Sequence, residues 1–407
     1  MEWIWVILIA LTFYGFFPGI GAFLTRSKWR TFRRDFIQSS FFPLATYSSL
    51  SKMEESSADS SREFRFFGAL EALQEDNTIW LRAENLVLSA DMTGQDLFLL
   101  PSGERVREQA IEELHLPLSQ EEIPIIIPWN RVSTLSEGTK VYIAGPLETK
   151  QGKRVFRATL SKKLLVIFYD GEERDLLKRI IWNSRHRNEY WNVFTPASIG
   201  LGVLAEMILT YYFLHSPPLR ITAILAIAGA LFPILPFLPP GFFLFALYRW
   251  LWGKARFLRA ERDLLRLPLR FFPRPDLSQR VRLPNGENYF CLSLSSVPLE
   301  VLEKRGFIRR TLLQKEKYFK KIYKEGDSDK PSFYWFGVEK EGQNDPYPGI
   351  SKDPMVENLV VEGNPGKVAA VCEKFAYILE ILSSLCFGIG VGVNLFLALR
   401  LISLIVR

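Results

Sequence analysis

The chain has 407 residues, of which 48% are hydrophobic and 14% aromatic, and its formal net charge is +7. Uncharged runs alternate with highly charged segments, a pattern typical of a membrane protein with soluble domains. The basic excess does not predict nucleic-acid binding, because residues 63–177 hold 13 basic and 19 acidic residues, a net −6 that repels phosphate backbones.

The first uncharged run, residues 3–24, is long enough to cross a hydrocarbon core about 30 Å thick. Basic residues follow this run and Glu2 precedes it, which is the reverse of the charge order in a cleavable signal peptide. We therefore expect an uncleaved transmembrane anchor over residues 1–25 with its N-terminus outside. The positive-inside rule places residues 26–62 in the cytoplasm, as a basic juxtamembrane segment that ends in a Ser-rich flexible linker at 50–62.

Residues 63–181 are predicted to form a soluble β-rich domain. Short strand-like runs separated by turn signals favour a small antiparallel β-barrel with one helix at 105–116. The predicted strands are 64–73, 78–83, 85–90, 96–101, 123–129, 139–148, 153–160 and 163–170.

The stretch EGTKVYIAGPLETKQGKRVF at 137–156 has one glycine before a strand, Gly145 within that strand and Gly152 in the hairpin that follows. It resembles strands of an oligonucleotide/oligosaccharide-binding (OB) fold, and the resemblance implies an OB-like barrel. Such folds bind single-stranded nucleic acid through basic grooves. Because this domain carries a net charge of −6, we expect it to bind a partner protein instead.

Two further spans are predicted as a transmembrane hairpin over residues 197–253. The first is 197–214, and the next uncharged run, 221–248, has 28 residues. As one helix it would be about 42 Å long, too long for one straight span and too short for two. Prolines near its middle predict a helix break, and they are Pro233, Pro236, Pro239 and Pro240. Dense basic residues after residue 248 require a cytoplasmic end, so we expect one bent crossing whose broken backbone is covered by protein or water.

A basic amphipathic helix is predicted over residues 254–270, lying on the inner leaflet. Its candidate lipid-headgroup contacts are Arg256, Arg259, Arg262 and Arg266. The alternative is a straight cytoplasmic continuation of the third span, packed against the β-domain.

Residues 271–375 are predicted to be a second small soluble α+β segment. A hairpin is expected at Asn285-Gly286, helices at 297–307 and 309–324, and strands at 332–340 and 356–363. The pattern leaves open whether this segment folds alone or completes the first domain.

A C-terminal transmembrane helix is expected over residues 376–400, and four crossings place both termini outside. Gly388 and Gly392 share a GxxxG register in this helix, as do Gly15 and Gly19 in the first. These small-residue faces indicate contact with other helices, from this chain, from a partner protein or from a second copy in a homo-oligomer.

Glu206 and Asn394 form the candidate intramembrane polar site. A charged side chain at the depth of Glu206 costs on the order of 3 kcal/mol. We interpret Glu206 either as a neutral carboxyl hydrogen-bonded to a neighbouring helix or as part of a proton or ion relay that includes Asn394.

No catalytic, cofactor-binding or metal-binding pattern is visible in the sequence. The GNPGKV stretch at 363–368 has the wrong spacing for a phosphate loop and lacks Ser or Thr after its lysine. Three scattered histidines and three cysteines without a CxxC pair predict neither a metal site nor a disulfide framework. We therefore expect a protein that is not an enzyme and has no cofactor.

The expected protein is an α+β integral membrane protein with four transmembrane helices, a cytoplasmic OB-like barrel and a second α+β segment. We expect it in a bacterial inner membrane, acting as a scaffold or assembly factor whose barrel binds partner proteins but no nucleic acid. The alternative is a transporter or channel component that uses Glu206 and the broken third span.

Overall fold

The computed structural model describes residues 2–54, 62–74, 76–101, 123–150, 153–160, 162–185, 189–272, 280–294, 308–310, 333–339 and 348–405. The chain forms two compact units. The helical unit comprises residues 1–32, 186–259 and 372–407, and the barrel unit comprises residues 33–185 and 260–371. The fold is α+β, with helices and two sheets.

Three helices are long and apolar enough to cross a membrane, and they identify the chain as a membrane protein. They are Trp3–Ser39, Phe194–Leu214 and Pro365–Leu404. The first consists of α1 (Trp3–Ala10), a π-helical segment (Leu11–Phe16) and α2 (Phe17–Ser39). The second is α6 (Phe194–Leu214), and the third is contained in α9 (Pro365–Ile405).

The uncharged run 221–248 is divided into two helices at its prolines. The first piece is α7 (Arg220–Leu231) and the second begins α8 (Gly241–Arg266), with a 3₁₀ turn at Leu235–Phe237 between them. The expected break is therefore present. Neither piece is among the helices that are long and apolar enough to cross a membrane alone, so the described residues contain three candidate spans where the sequence predicted four.

The expected basic helix at 254–270 is not a separate element. Helix α8 continues without interruption to Arg266, and a 3₁₀ turn at Pro268–Arg270 follows it. The structure has the alternative, a helix that continues from the preceding piece. It continues because no glycine or proline interrupts it between Lys254 and Arg266.

Five strands of the barrel unit close into a β-barrel. Following the ring from strand to neighbouring strand, they are β1 (Arg62–Leu73), β2 (Thr78–Ala83), β3 (Leu86–Asp91), β7 (Lys153–Phe156) and β6 (Lys140–Lys150). Strand β6 pairs back to β1, with Phe64 opposite Gly145, and this pairing closes the ring. The sheet continues from β6 through β8 (Leu165–Tyr169) and β4 (Leu97–Leu100) to β5 (Ile125–Ile127).

The sequence predicted an antiparallel barrel, but the barrel sheet also contains parallel strand pairs. Strands β3 and β7 are parallel, and so are β4 and β8. Hydrophobic alternation sets which face of a strand is buried, but it carries no information about the direction of a distant neighbour. The short helices α4 (Trp129–Val132) and α5 (Glu173–Arg185) also belong to this unit. The predicted helix at 105–116 lies outside the described residues.

Side chains inside the barrel come from alternate positions of its strands. Phe64 and Phe66 of β1 and Val141 and Ile143 of β6 share one core, and each large side chain contributes about 1.5–3 kcal/mol by its burial. Gly145 lies at φ +148°, and a Cβ there would be 3.1 Å from the Lys163 carbonyl oxygen, so the bend in β6 requires glycine.

The expected flexible linker at 50–62 is partly structured. Helix α3 (Tyr47–Glu54) includes its first residues, and Leu50 is buried in the barrel core. Strand β1 begins at Arg62, and residues 55–61 lie outside the described residues. Leu50 therefore ties the chain before β1 to the barrel.

A second sheet lies in the same unit as the barrel. Its strand order is β11 (Ile308–Arg310), β13 (Leu359–Glu362), β12 (Phe333–Val338), β10 (Asn288–Leu294) and β9 (Arg280–Arg282). The predicted hairpin is confirmed, because β9 and β10 are antiparallel and Gly286 takes φ +88° in the turn. Of the predicted helices, 297–307 and 311–324 lie outside the described residues, while 309 and 310 belong to β11.

The GNPGKV stretch forms the start of α9. The Asn364 side-chain oxygen accepts hydrogen bonds from the backbone N–H groups of Gly366 (2.9 Å) and Lys367 (3.2 Å), and Pro365 is the first helical residue. Asparagine at the N-cap followed by proline is a strong helix start. The helix consequently begins well before the apolar run that predicted it.

Candidate functional site

Glu206 lies in the middle of α6 with its side chain completely buried. Neither carboxyl oxygen has a hydrogen-bond partner among the described residues. A Cβ at Gly229 of α7 would lie only 3.0 Å from the Glu206 carboxyl carbon, so this glycine makes room for the carboxyl group. Among the described residues, no hydrogen bond therefore joins this carboxyl group to a neighbouring helix.

Tyr14 of the first span lies beside Glu206. Its ring packs on Gly202 of α6, where a Cβ would be 2.7 Å from the ring, and it stacks on Phe232 with ring centroids 5.5 Å apart. Its hydroxyl is close enough to Glu206 to interact electrostatically, but it is buried without a hydrogen-bond partner. Two unsatisfied polar groups thus lie in one apolar contact region.

The π-helical segment aligns Tyr14 with α6. In a π turn, not every backbone carbonyl accepts the usual helical hydrogen bond from an N–H group. Two backbone carbonyls of this segment instead accept hydrogen bonds from hydroxyl groups. Ser198 Oγ donates to the Phe13 carbonyl (2.5 Å), and Tyr190 OH donates to the Tyr14 carbonyl (2.9 Å). These bonds hold the first span against α6.

Asn394 of α9 binds the proline break between α7 and α8. Its amide Nδ2 donates to the carbonyls of Leu235 (2.6 Å) and Leu238 (2.7 Å), and its Oδ1 accepts from the Gly241 N–H (3.2 Å). Broken backbone at membrane depth has to be satisfied by protein or water. The expected protein cover is therefore present, and Asn394 supplies it together with backbone hydrogen bonds within the break.

The structure places the two candidate polar residues in different roles. All the hydrogen bonds described for Asn394 go to the proline break, and none joins it to Glu206. The prolines themselves form this break, with Pro236 buried and Pro239-Pro240 joined by a cis peptide bond. The sequence offered no signal for Tyr14, because a π turn has no distinctive residue pattern.

Arginines that were predicted to meet lipid headgroups are paired with carboxylates. Arg256 binds Glu189 (3.3 Å), Arg259 Nε binds Glu380 (2.5 Å), and Arg262 binds its neighbour Asp263 (2.6 Å). Arg256 and Arg262 are buried, whereas Arg266 is exposed. Ion pairs with carboxylates therefore occupy these guanidinium groups, and contact of the four arginines with lipid headgroups stays a prediction.

The barrel unit contains a buried polar cluster that the sequence did not reveal. Arg65 of β1 forms a two-pronged ion pair with Asp353, and both side chains are almost completely buried. Arg65 Nε also donates to the Phe42 carbonyl (2.7 Å), while Asp353 accepts from the Met355 N–H (3.0 Å). The pair links the barrel to the segment that precedes β13.

Arg270 lies next to this pair and donates to Ser40 Oγ (2.6 Å) and to the Met355 carbonyl (2.8 Å). Burial lowers the pKa of Arg270 to about 10, so the side chain remains charged at neutral pH. Burial also raises the pKa of Tyr142 to about 12, and the Tyr142 hydroxyl lies 2.6 Å from Ser39 Oγ. The two terminal nitrogens of Arg270 are thus hydrogen-bonded, whereas its Nε is buried without a hydrogen-bond partner among the described residues.

Within the described ranges, no group of three or more His, Cys, Asp or Glu side chains could hold a metal ion. No known protein family, curated protein or solved structure matches this chain.

Proposed function

We propose that this chain is a multi-pass membrane scaffold or assembly factor whose cytoplasmic β-barrel binds a partner protein. The observation that carries the proposal is strand β5, the last strand of the barrel sheet in the described part of the chain. Its sequence is Ile125-Ile126-Ile127, and Ile125 and Ile126 are each 37% exposed. Pro124 and Pro128 flank this strand, but the strand itself carries no charged residue, which is another usual protection of a sheet edge.

A cleft of about 380 Å³ adjoins this edge. Apolar residues such as Ile126, Pro128 and Trp129 line it together with the polar residues Asn77, Gln95 and Asp96. An exposed sheet edge beside a cleft of mixed polarity is suited to an extended segment of a partner protein, since the edge supplies backbone hydrogen bonds and the cleft accepts a side chain. The net −6 charge of residues 63–177 disfavours nucleic acid as the occupant.

The barrel itself is proposed to be OB-like. Numbered by their order in the chain, its five strands follow each other around the ring as first, second, third, fifth and fourth, and the third and fifth are parallel. This Greek-key arrangement supports the resemblance seen at residues 137–156.

The membrane segments support association with other helices. Gly15, Gly19, Gly388 and Gly392 have open space at the position of an added Cβ, whereas Gly202, Gly229, Gly241 and Gly390 lie at contacts within the helical unit. The two GxxxG faces are therefore not in contact with other residues that the structure describes. We propose that they meet a partner helix or a second copy in the lipid bilayer.

Changing Ile126 to glutamate is expected to release the partner protein, because a charge on the edge strand disfavours pairing with another strand. The measurement is mass spectrometry of proteins that co-purify with the full-length chain in mild detergent. Val87→Glu is the matched control, since Val87 is 42% exposed but lies on β3, which pairs on both sides. Equal retention in both variants, or no retained protein with the unmodified chain, argues against the proposal.

We also propose a fourth, bent crossing formed by α7 and the first half of α8. Helix α7 has 12 residues and is about 18 Å long, roughly half of a bilayer core, and Asn394 satisfies the backbone where the next piece begins. The basic residues after residue 248 favour a cytoplasmic end for this crossing. In a bacterial inner membrane, both long loops would then face the cytoplasm.

Single cysteines at Ser136 and Asn285, in a chain without its native cysteines, are expected to resist an impermeant thiol reagent in intact cells. The same positions should react after the cells are opened, since both side chains are exposed in the fold. His215→Cys, between α6 and α7, is the control that should react in intact cells. Labelling of residue 136 or 285 without cell lysis contradicts the proposed orientation.

A transporter or channel component is the second candidate function. Glu206, buried and without a hydrogen-bond partner, favours it. The proline break does not, because Asn394 occupies the backbone groups that a substrate would use there. Solute movement through liposomes that contain this chain alone would favour the transporter over the scaffold.

A further inference from the structure

The polar groups of Glu206 and Tyr14 lack the partners that buried polar groups normally have. Glu206 is completely buried and Tyr14 nearly so, and neither the carboxyl oxygens nor the hydroxyl is hydrogen-bonded within the described residues. Leaving such groups unpaired is costly, and natural proteins rarely do so without a functional reason. Both groups face the same contact between the first span, α6 and α7.

The chemistry of this contact suits a proton better than a metal ion. The two side chains offer three oxygens, whereas cations such as Ca²⁺ and Mg²⁺ take about six or more oxygen ligands. Space is limited too, since a single Cβ added at Gly229 would lie only 3.0 Å from the carboxyl carbon. Tyr14 is the titratable side chain facing Glu206 from the first span, and α7 contributes Gly229, which does not titrate.

We infer that Glu206 is a proton-binding residue inside the helical unit. In the proton-bound state the neutral carboxyl is compatible with its apolar surroundings. On release, the carboxyl O–H bond breaks, the proton passes to water, and the carboxylate accepts a hydrogen bond from the Tyr14 hydroxyl. The π-helical segment allows this change, because π turns are local irregularities that often accompany functional sites. This site is independent of the scaffold function proposed above.

A hydrophobic carbodiimide tests the inference, because it adds to neutral carboxylic acids in apolar surroundings and not to ionised carboxylates. The full-length protein in lipid vesicles should be labelled at Glu206 at neutral pH and progressively less as the pH rises. Glu206→Gln should reduce the label to background. Glu380→Gln should leave it unchanged, because Glu380 is paired with Arg259 in the same unit.

Tyr14→Phe distinguishes a proton-binding residue from a permanently neutral one. Without the hydroxyl, the carboxylate loses its donor, so the pH at which labelling falls by half should rise by about one unit. A permanently neutral carboxyl would be labelled equally at every pH at which the protein stays folded. Any one of three results overturns the inference. They are equal labelling at every pH, a half-point that is unchanged in Tyr14→Phe, and the absence of label that depends on Glu206.

Discussion

Replacing Asp353 by alanine is expected to lower the free energy of unfolding of the barrel unit by about 3–5 kcal/mol. The variant leaves the Arg65 guanidinium buried without its counter-charge, and Arg65 is almost inaccessible to water. The measurement is unfolding of the full-length protein in detergent, followed by tryptophan fluorescence, to which the fully buried Trp335 contributes.

Two further variants separate charge burial from general damage. Glu71→Ala removes an exposed ion pair with Arg82 in the same barrel and should cost less than about 1 kcal/mol. The double variant Arg65→Met with Asp353→Leu should recover much of the lost stability, because apolar residues of similar size often replace a buried pair well. If Asp353→Ala is as stable as the unmodified chain, the pair does not hold the two parts of this unit together.

Replacing Asn394 by leucine is expected to reduce the accumulation of folded protein. Leucine has nearly the same volume, but it removes one hydrogen bond from each of the Leu235 and Leu238 carbonyls, which keep a backbone donor, and it leaves the Gly241 N–H without its Asn394 acceptor. The unpaired N–H and the two lost bonds together cost about 2–5 kcal/mol, which is a large share of the stability of a typical domain. The measurement is the fraction of monodisperse protein in gel filtration after detergent extraction.

Glycine variants provide the controls for this expectation. Gly241→Ala should be comparably damaging, because its Cβ would lie 2.9 Å from the Gly390 carbonyl oxygen and close to the Asn394 side chain. Gly388→Ala, in the same helix as Asn394, should fold normally, because nothing lies within 4 Å of an added Cβ. A monodisperse Asn394→Leu protein of unchanged stability would show that water or lipid can satisfy the break.

Local patterns in the sequence predicted much of the fold. Strand β2 occupies the predicted residues 78–83, because alternating apolar positions between two turns leave little freedom in its bounds. The helix break at the prolines was predictable for a similar reason, since proline removes a helical hydrogen bond wherever it occurs.

The contacts that define the candidate sites were not predictable from such patterns. Arg65 and Asp353 are 288 residues apart, and neither has a neighbour in sequence that marks its partner. The sequence shows Asn394 as a polar residue in a span, but it does not show that its partners are backbone atoms of a distant turn. Pairings of this kind depend on tertiary packing, which hydrophobic periodicity does not encode.

The π-helical segment has a consequence for how the first span tolerates changes in length. A π turn contains one residue more than the same stretch of α-helix, so Leu11–Phe16 can be viewed as a helix with an insertion. Removing one residue there would restore regular winding and rotate Trp3–Ala10 by about 100° relative to Phe17–Ser39. Val6, now buried against Phe213, Ala223 and Ala226, would then face lipid. Substitutions therefore keep the number of residues between Val6 and Tyr14, whereas a deletion between them changes it.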